Sequence, residues 1–256
     1  MSRLEVAGVE IRFGGVAALR GVDLTVDGGA VTGLIGPNGA GKTTLFNVIT
    51  GLAKANSGKV TLDGKSIGHL QPHRRARLGI ARTFQRLEIF GSLTVRENIL
   101  VAAEIRRRWS HDRSSPRQIA EEVLGEVGLR HIADVRCDTL PTGMARLVEV
   151  GRSLATKPAV LLLDEPSSGL DEHETDELGE LLQRVAAKGV GVLLVEHDVE
   201  LVMSVCKLIH VLDFGRILAV GTPAEIQSNP EVRAAYLGTE EPGAEENSSE
   251  VVDALA

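Results

Sequence analysis

One stretch constrains this chain above all: the apolar run Val31–Ile35, followed by Gly36-Pro37-Asn38-Gly39-Ala40-Gly41-Lys42-Thr43. The order is strand, Gly-rich loop and then a helix from about Lys42, with the pattern G-x-x-x-x-G-K-[ST]. Gly36, Gly39 and Gly41 let the backbone curl until its N–H groups converge, and the helix start adds partial positive charge. Such a cradle fits phosphate oxygens. Lys42 is expected to reach the β- and γ-phosphates of a nucleoside triphosphate, and the Thr43 hydroxyl to ligate Mg²⁺. Pro37, Asn38, Ala40 and Thr44 complete the expected nucleotide-binding wall.

A second apolar run, Leu161-Leu162-Leu163, ends in Asp164-Glu165. A buried strand of this kind delivers its terminal acids to the carboxyl edge of a sheet, where ligands bind in α/β folds. Asp164 is expected to hold Mg²⁺, directly or through water. Glu165 is expected to polarise the attacking water as a general base.

Around these motifs, strand and helix patterns alternate. Leu4, Val6, Val9, Ile11 and Phe13 alternate with polar residues, and a further strand is expected at Val22–Val26, before the turn Asp27-Gly28-Gly29. Residues 86–155 read as a helical subdomain inserted into an α/β domain. They carry Arg106-Arg107-Arg108 and a breaker segment, Ser110–Pro116, and close with a helix from about Ala145 to Ala155. A strand Val160–Leu163, a helix near Glu172–Ala187, a strand Gly191–Val195, a helix Val199–Cys206 and a hairpin around Asp213–Arg216 follow. The fold class is therefore α/β, with a mainly parallel sheet covered on both faces.

Hydrophobic residues make up 43% of the 256 and aromatics 3%, so the core must be aliphatic. The chain has no run of about 18 apolar residues, and its N-terminus has no apolar signal core, which places it in the cytoplasm by expectation. Cys137 and Cys206 are expected to be free thiols. Residues 239–256 hold six acids and no Lys or Arg, so the net charge of −7 is nearly all tail. This tail is expected to be disordered and solubilising, and residues 1–238 to form the nearly neutral folded domain. No nucleic acid partner is expected from this balance. The clusters His73–Arg77 and Arg106–Arg108 are expected on solvated helix faces.

Over residues 4–238 the order of motifs resembles the nucleotide-binding domain of ABC transporters. That resemblance implies a P-loop NTPase fold with an N-terminal antiparallel β-subdomain and the inserted helical subdomain. It implies that Phe13, in Arg-Phe-Gly-Gly, stacks on the adenine of ATP. Gln85, in Ala-Arg-Thr-Phe-Gln, would sense the γ-phosphate and its metal ion. Asp171, in Ser-Gly-Leu-Asp, would communicate across a dimer, and His197, in Val-Glu-His-Asp, would act as a switch. The implied partners are integral membrane permease subunits, a second ATPase subunit (identical or not) and, indirectly, a solute-binding protein. The implied location is peripheral, on the inner face of the cell membrane. Phe90, Leu93 and Val95 would line a groove for a coupling helix of the permease.

Ala-Arg-Thr-Phe-Gln, the segment Leu93–Asn98 and Gly221–Ile226 are similar to the ATPases of branched-chain amino acid importers. That group handles hydrophobic amino acids, and relatives take amides or urea.

The family's L-S-G-G-Q signature reads Leu140-Pro141-Thr142-Gly143-Met144 here. Pro141 has neither hydroxyl nor N–H, and Met144 cannot hydrogen-bond as Gln does. Thr142, Gly143 and the helix start remain to contact the ATP of the other subunit. One lost charge-assisted hydrogen bond costs about 1.5–3 kcal/mol, enough to weaken closure roughly tenfold to a hundredfold. Two other functions stand beside the importer ATPase: a regulatory ATP-binding subunit with little hydrolysis, and a soluble non-transport ABC ATPase.

Overall fold

The computed structural model describes residues 2–110 and 112–234. The chain opens with an antiparallel hairpin, β1 (Arg3–Phe13) and β2 (Val16–Asp27), followed by β3 (Val31–Ile35) and α1 (Lys42–Thr50). Strands β4 (Ser57–Leu62) and β5 (Lys65–Ser66) then return to the hairpin, giving a four-stranded antiparallel sheet in the order β2-β1-β4-β5. A short helix, α2 (Pro72–Arg77), leads to β6 (Ile80–Arg82). Three helices follow: α3 (Val95–Arg107), α4 (Pro116–Glu126) and α5 (Thr142–Ala155). The rest alternates as β7 (Val160–Asp164), α6 (Glu172–Ala187), β8 (Gly191–Val195) and α7 (Val199–Val205). It ends with the hairpin β9 (Leu208–Asp213) and β10 (Arg216–Gly221), then α8 (Pro223–Ser228) and α9 (Pro230–Val232).

The second sheet runs β10-β9-β3-β8-β7-β6, and every pairing except β9–β10 is parallel. Its strands β3, β7 and β8 are buried at every residue, because both faces are covered. Leu161, Leu163, Val192 and Leu194 pack toward the helical side. Their neighbours Leu162, Leu193 and Val195 pack with α1 residues and the antiparallel sheet. The carboxyl ends of β3, β6, β7 and β8 therefore share one edge. This is where an open α/β sheet binds ligands.

The structure differs from the sequence reading at several points. Strand β2 begins at Val16 rather than Val22, because its outer half pairs with β1 up to Phe13. Helix α5 begins at Thr142 rather than Ala145: the Ala145 N–H already donates to the Pro141 carbonyl, so three residues read as loop form the first turn. Val95 is fully buried in the core and lines no surface groove, whereas Phe90 is exposed and Leu93 half-buried.

Arg75 does not lie on a solvated face. Its guanidinium donates to the carbonyls of Val48 and Ile49, at 2.6 and 2.8 Å, and so satisfies the C-terminal end of α1. Arg106 is half-buried and pairs with Asp112 at 2.9 Å, while Arg107 and Arg108 are exposed. Cys137 and Cys206 are free and buried. The acidic tail at 239–256 lies outside the described residues.

Candidate nucleotide site

Strand β3 passes the chain into the Gly-rich loop at the carboxyl edge. Gly36 has φ 152° and Gly41 has φ 114°. A Cβ at Gly36 would overlap the Leu212 carbonyl on β9, and one at Gly41 would come within 2.8 Å of the Ala18 carbonyl oxygen on β2. Only glycine satisfies both the backbone angles and these close approaches. Gly41 is also the N-cap of α1 and brings no capping side chain, which leaves first-turn N–H groups to an anion. Lys42 is buried, and its ammonium donates to the carbonyls of Gly36 and Pro37, at 2.5 and 3.1 Å. Burial pushes its pKa down, and the nearby Glu165 and Asp164 oppose this.

Asp164 ends β7 as a buried carboxylate. Its Oδ2 accepts from Arg82 at 3.1 Å, and its N–H donates to the Thr83 hydroxyl at 3.2 Å. Burial raises its pKa, opposed first by Arg82 and then more weakly by Lys42. Glu165 follows with φ 52°, uncommon for a residue with a side chain and typical of functional sites. Its N–H is anchored at 2.9 Å to the Val195 carbonyl on β8. His197 Nε2 lies 2.9 Å from Glu165 Oε1, and Gln85 Nε2 lies 3.5 Å from both carboxylate oxygens.

The fold thus brings Lys42, Gln85, Asp164, Glu165 and His197 to one edge. Among the described residues no group of three or more His, Cys, Asp or Glu could hold a metal by itself. A hydroxyl (the exposed Thr43) and one carboxylate (Asp164) fit Mg²⁺, which keeps waters and shares its shell with phosphate oxygens.

Other expected residues lie apart from this cluster. Phe13 is exposed at the tip of the β1–β2 hairpin. Pro141 is the N-cap of α5, with Thr142 and Gly143 in its first turn. A Cβ on Gly143 would come within 2.6 Å of the Leu170 side chain, so this turn abuts the loop before α6. Asp171 caps α6, accepting the Glu174 N–H at 2.8 Å. Met144 is half-buried and packs against the core.

Sequence reasoning missed a set of buried and half-buried charges around the cluster. Glu196 accepts the N–H groups of Ser167 (2.8 Å) and His197 (3.1 Å), tying the loops after β7 and β8 together. Three α5 side chains hold the backbone around Gln85. Arg146 donates to the carbonyls of Phe84 and Gln85, Glu149 accepts the Glu88 N–H at 2.6 Å, and Arg152 donates to the Glu88 carbonyl. Each links residues about 60 positions apart, so no local pattern marks them. Beside them a groove of about 470 Å³ opens between α2, α3 and α5. Its walls carry Leu52, Phe84, Phe90, Ile105 and Trp109 together with Arg82, Arg106 and Arg152.

Comparison with known families decides the lineage. The pattern described as "ABC transporter" matches residues 19–168. The chain belongs to the ABC transporter ATP-binding family. A second pattern, "Branched-chain amino acid ATP-binding cassette transporter", matches residues 216–242 of this ABC ATPase. It is 43% identical to the high-affinity branched-chain amino acid transport ATP-binding protein BraF of Pseudomonas aeruginosa, covering 93% of this chain and 99% of BraF. It is 39% identical to the protein of the same description, LivG, of Salmonella typhimurium, covering 92% and 97%. A crystal structure of a nucleotide-free ATP-binding cassette from an ABC transporter superposes with TM-score 0.81 at 31% identity, covering 93% of this chain and all of that one. A crystal structure of the ADP conformation of an ATP-binding cassette of an ABC transporter gives 0.80 at 32% identity, covering 93% and 99%. ATP hydrolysis is the reaction of this family. No helix among the described residues of this ABC ATPase is long and apolar enough to cross a membrane.

Proposed function

We propose that this ABC ATPase energises a membrane importer of branched-chain or other hydrophobic amino acids, or of related amides or urea. The observation that carries the hydrolytic part is the Glu165 carboxylate. It is held beside His197 and Gln85 at the same sheet edge as Lys42 and Asp164. The substrate class is supported by the identity to BraF and LivG and by the match at residues 216–242.

In this reading the backbone of residues 36–43 and Lys42 grip the phosphates, and Phe13 stacks on adenine. Mg²⁺, when bound with ATP, neutralises charge on the β- and γ-phosphate oxygens and would be held by Thr43 and Asp164, with Gln85 beside it. Glu165 accepts a proton from the attacking water. His197 keeps the Glu165 carboxylate turned toward that water. The first turn of α5 (Pro141, Thr142, Gly143) and Asp171 complete the site on a second ATPase subunit. The groove beside α5 seats a helix of the permease on the inner face of the membrane, and a solute-binding protein delivers substrate on the other side.

A regulatory subunit with little hydrolysis is the second reading, and Pro141 favours it: α5 starts without a hydroxyl at its cap.

Tagged purification from detergent-solubilised membranes, followed by mass spectrometry, tests the importer assignment. Recovery of multi-spanning subunits, with ATP-dependent amino acid uptake by vesicles containing the complex, is the expected result. Recovery from the soluble fraction alone would refute it.

A further inference from the structure

Arg82 is the residue at this site that the family motifs leave without a task. It ends β6, the edge strand beside β7, and its side chain is only 6% exposed. One terminal nitrogen donates to Asp164 Oδ2 at 3.1 Å, and the other donates to Asn47 Oδ1 on α1 at 2.6 Å. The guanidinium lies 5.2 Å from the Phe46 ring and 4.9 Å from the Phe84 ring. A planar cation fixed by two hydrogen bonds and two aromatic rings has little freedom, and the carboxylate it grips shares that rigidity.

The consequence for Asp164 is asymmetric. Oδ2 is occupied by Arg82, whereas among the described residues no hydrogen bond occupies Oδ1. The bridge to Asn47 also ties this carboxylate to α1, the helix that carries Lys42 and Thr43. We propose that Arg82 is a positioning residue for the metal: it locks Asp164 so that one oxygen is presented to Mg²⁺ in fixed register with the Thr43 hydroxyl. Groups behind a metal ligand commonly orient it in this way. The proposal rests on the reading of Asp164 as a metal ligand. It adds that the register of the two donors is set by a side chain from β6.

The test compares the wild-type protein with Arg82→Ala, Arg82→Lys, Asn47→Ala and Asp164→Asn. Binding of a fluorescent, non-hydrolysable ATP analogue is measured in EDTA and across a Mg²⁺ titration, with Mn²⁺ binding followed by electron paramagnetic resonance and thermal melting in parallel. Arg82→Ala is expected to raise the half-saturating Mg²⁺ concentration about tenfold or more. Analogue binding in EDTA stays close to wild type. Arg82→Lys recovers part of the loss by restoring a charge on Asp164, and Asn47→Ala gives a smaller shift in the same direction.

A lower melting temperature with an unchanged Mg²⁺ requirement would overturn the proposal and make Arg82 a brace of the fold alone. Equal weakening in EDTA and in Mg²⁺ would overturn it as well. If Arg82→Ala does not fold, the Asn47→Ala and Arg82→Lys titrations decide by the same criteria. If Asp164→Asn leaves the Mg²⁺ requirement unchanged, the metal reading of Asp164 itself fails, and the role of Arg82 fails with it.

Discussion

His197 Nε2 stands 2.9 Å from Glu165 Oε1, although the two residues are 32 positions apart and leave the ends of adjacent parallel strands. Each residue is anchored through its own N–H, Glu165 to the Val195 carbonyl and His197 to the Glu196 carboxylate. Replacing His197 by Ala should leave this backbone in place and free the carboxylate to rotate. The expected result is a fall in kcat of about a hundredfold, with little change in KM for ATP. Steady-state kinetics on the purified transporter checks this. A rise in KM with kcat preserved would place His197 in binding instead.

Glu149 is buried on α5, where it joins Arg146 to the backbone of Glu88. Burial raises its pKa, and the Glu88 N–H and Arg146 pull it back. Glu149→Ala leaves an N–H and a guanidinium without their shared partner. A loss of roughly 3 kcal/mol is expected in chemical denaturation. Amide exchange should quicken in residues 84–88 ahead of the rest of the sheet. Unchanged protection there would show that the α5 contacts do not hold this loop.

Pro141 caps α5 without a hydroxyl. In the proposed pair of ATPase subunits, a serine there gains a cap and a donor toward the phosphate of the partner site. Pro141→Ser is expected to raise turnover of the assembled transporter by roughly tenfold to a hundredfold, the worth of one charge-assisted hydrogen bond. Met144 packs against the core, so adding Met144→Gln should cost stability without a further gain. Turnover equal to wild type in Pro141→Ser would mean that this position does not limit the cycle.

His210 sits on β9 between β3 and β10, buried, and neither ring nitrogen has a hydrogen-bond partner among the described residues. Burial pushes its pKa down from 6.5 to about 4. Its neutral form is the one the fold keeps. The unfolded chain takes up the proton first as pH falls, so stability present above the unfolded value is lost between the two values. The loss should approach roughly 3 kcal/mol relative to His210→Leu. Denaturation curves of both proteins from pH 7 to pH 4 test this, and parallel curves would contradict it.

The parts legible in the sequence were those whose signal is local. The Gly-rich loop, the acids ending β7 and the strands β3, β7 and β8 all announce themselves within a few residues. The extent of β2 was not legible, because its outer half is held by pairing with β1 rather than by its own pattern. Arg75 read as one member of an exposed basic run, and only the fold places it under α1. The same holds for Arg82, Arg146 and Glu149: each is a charge that becomes interior through a partner 61 to 82 positions away. Residues 57–82 carry weak alternation and short elements, and they gain their structure from the sheets they edge.

The central claim is that Glu165 is the base of an ATP-hydrolysing site. The most direct measurement is single-turnover ATP hydrolysis by Glu165→Gln, with ATP affinity determined on the same preparation. A fall of at least about a hundredfold in the hydrolysis rate, with ATP affinity kept or increased, is the result expected. A rate within about threefold of wild type would contradict the claim and move the general base elsewhere.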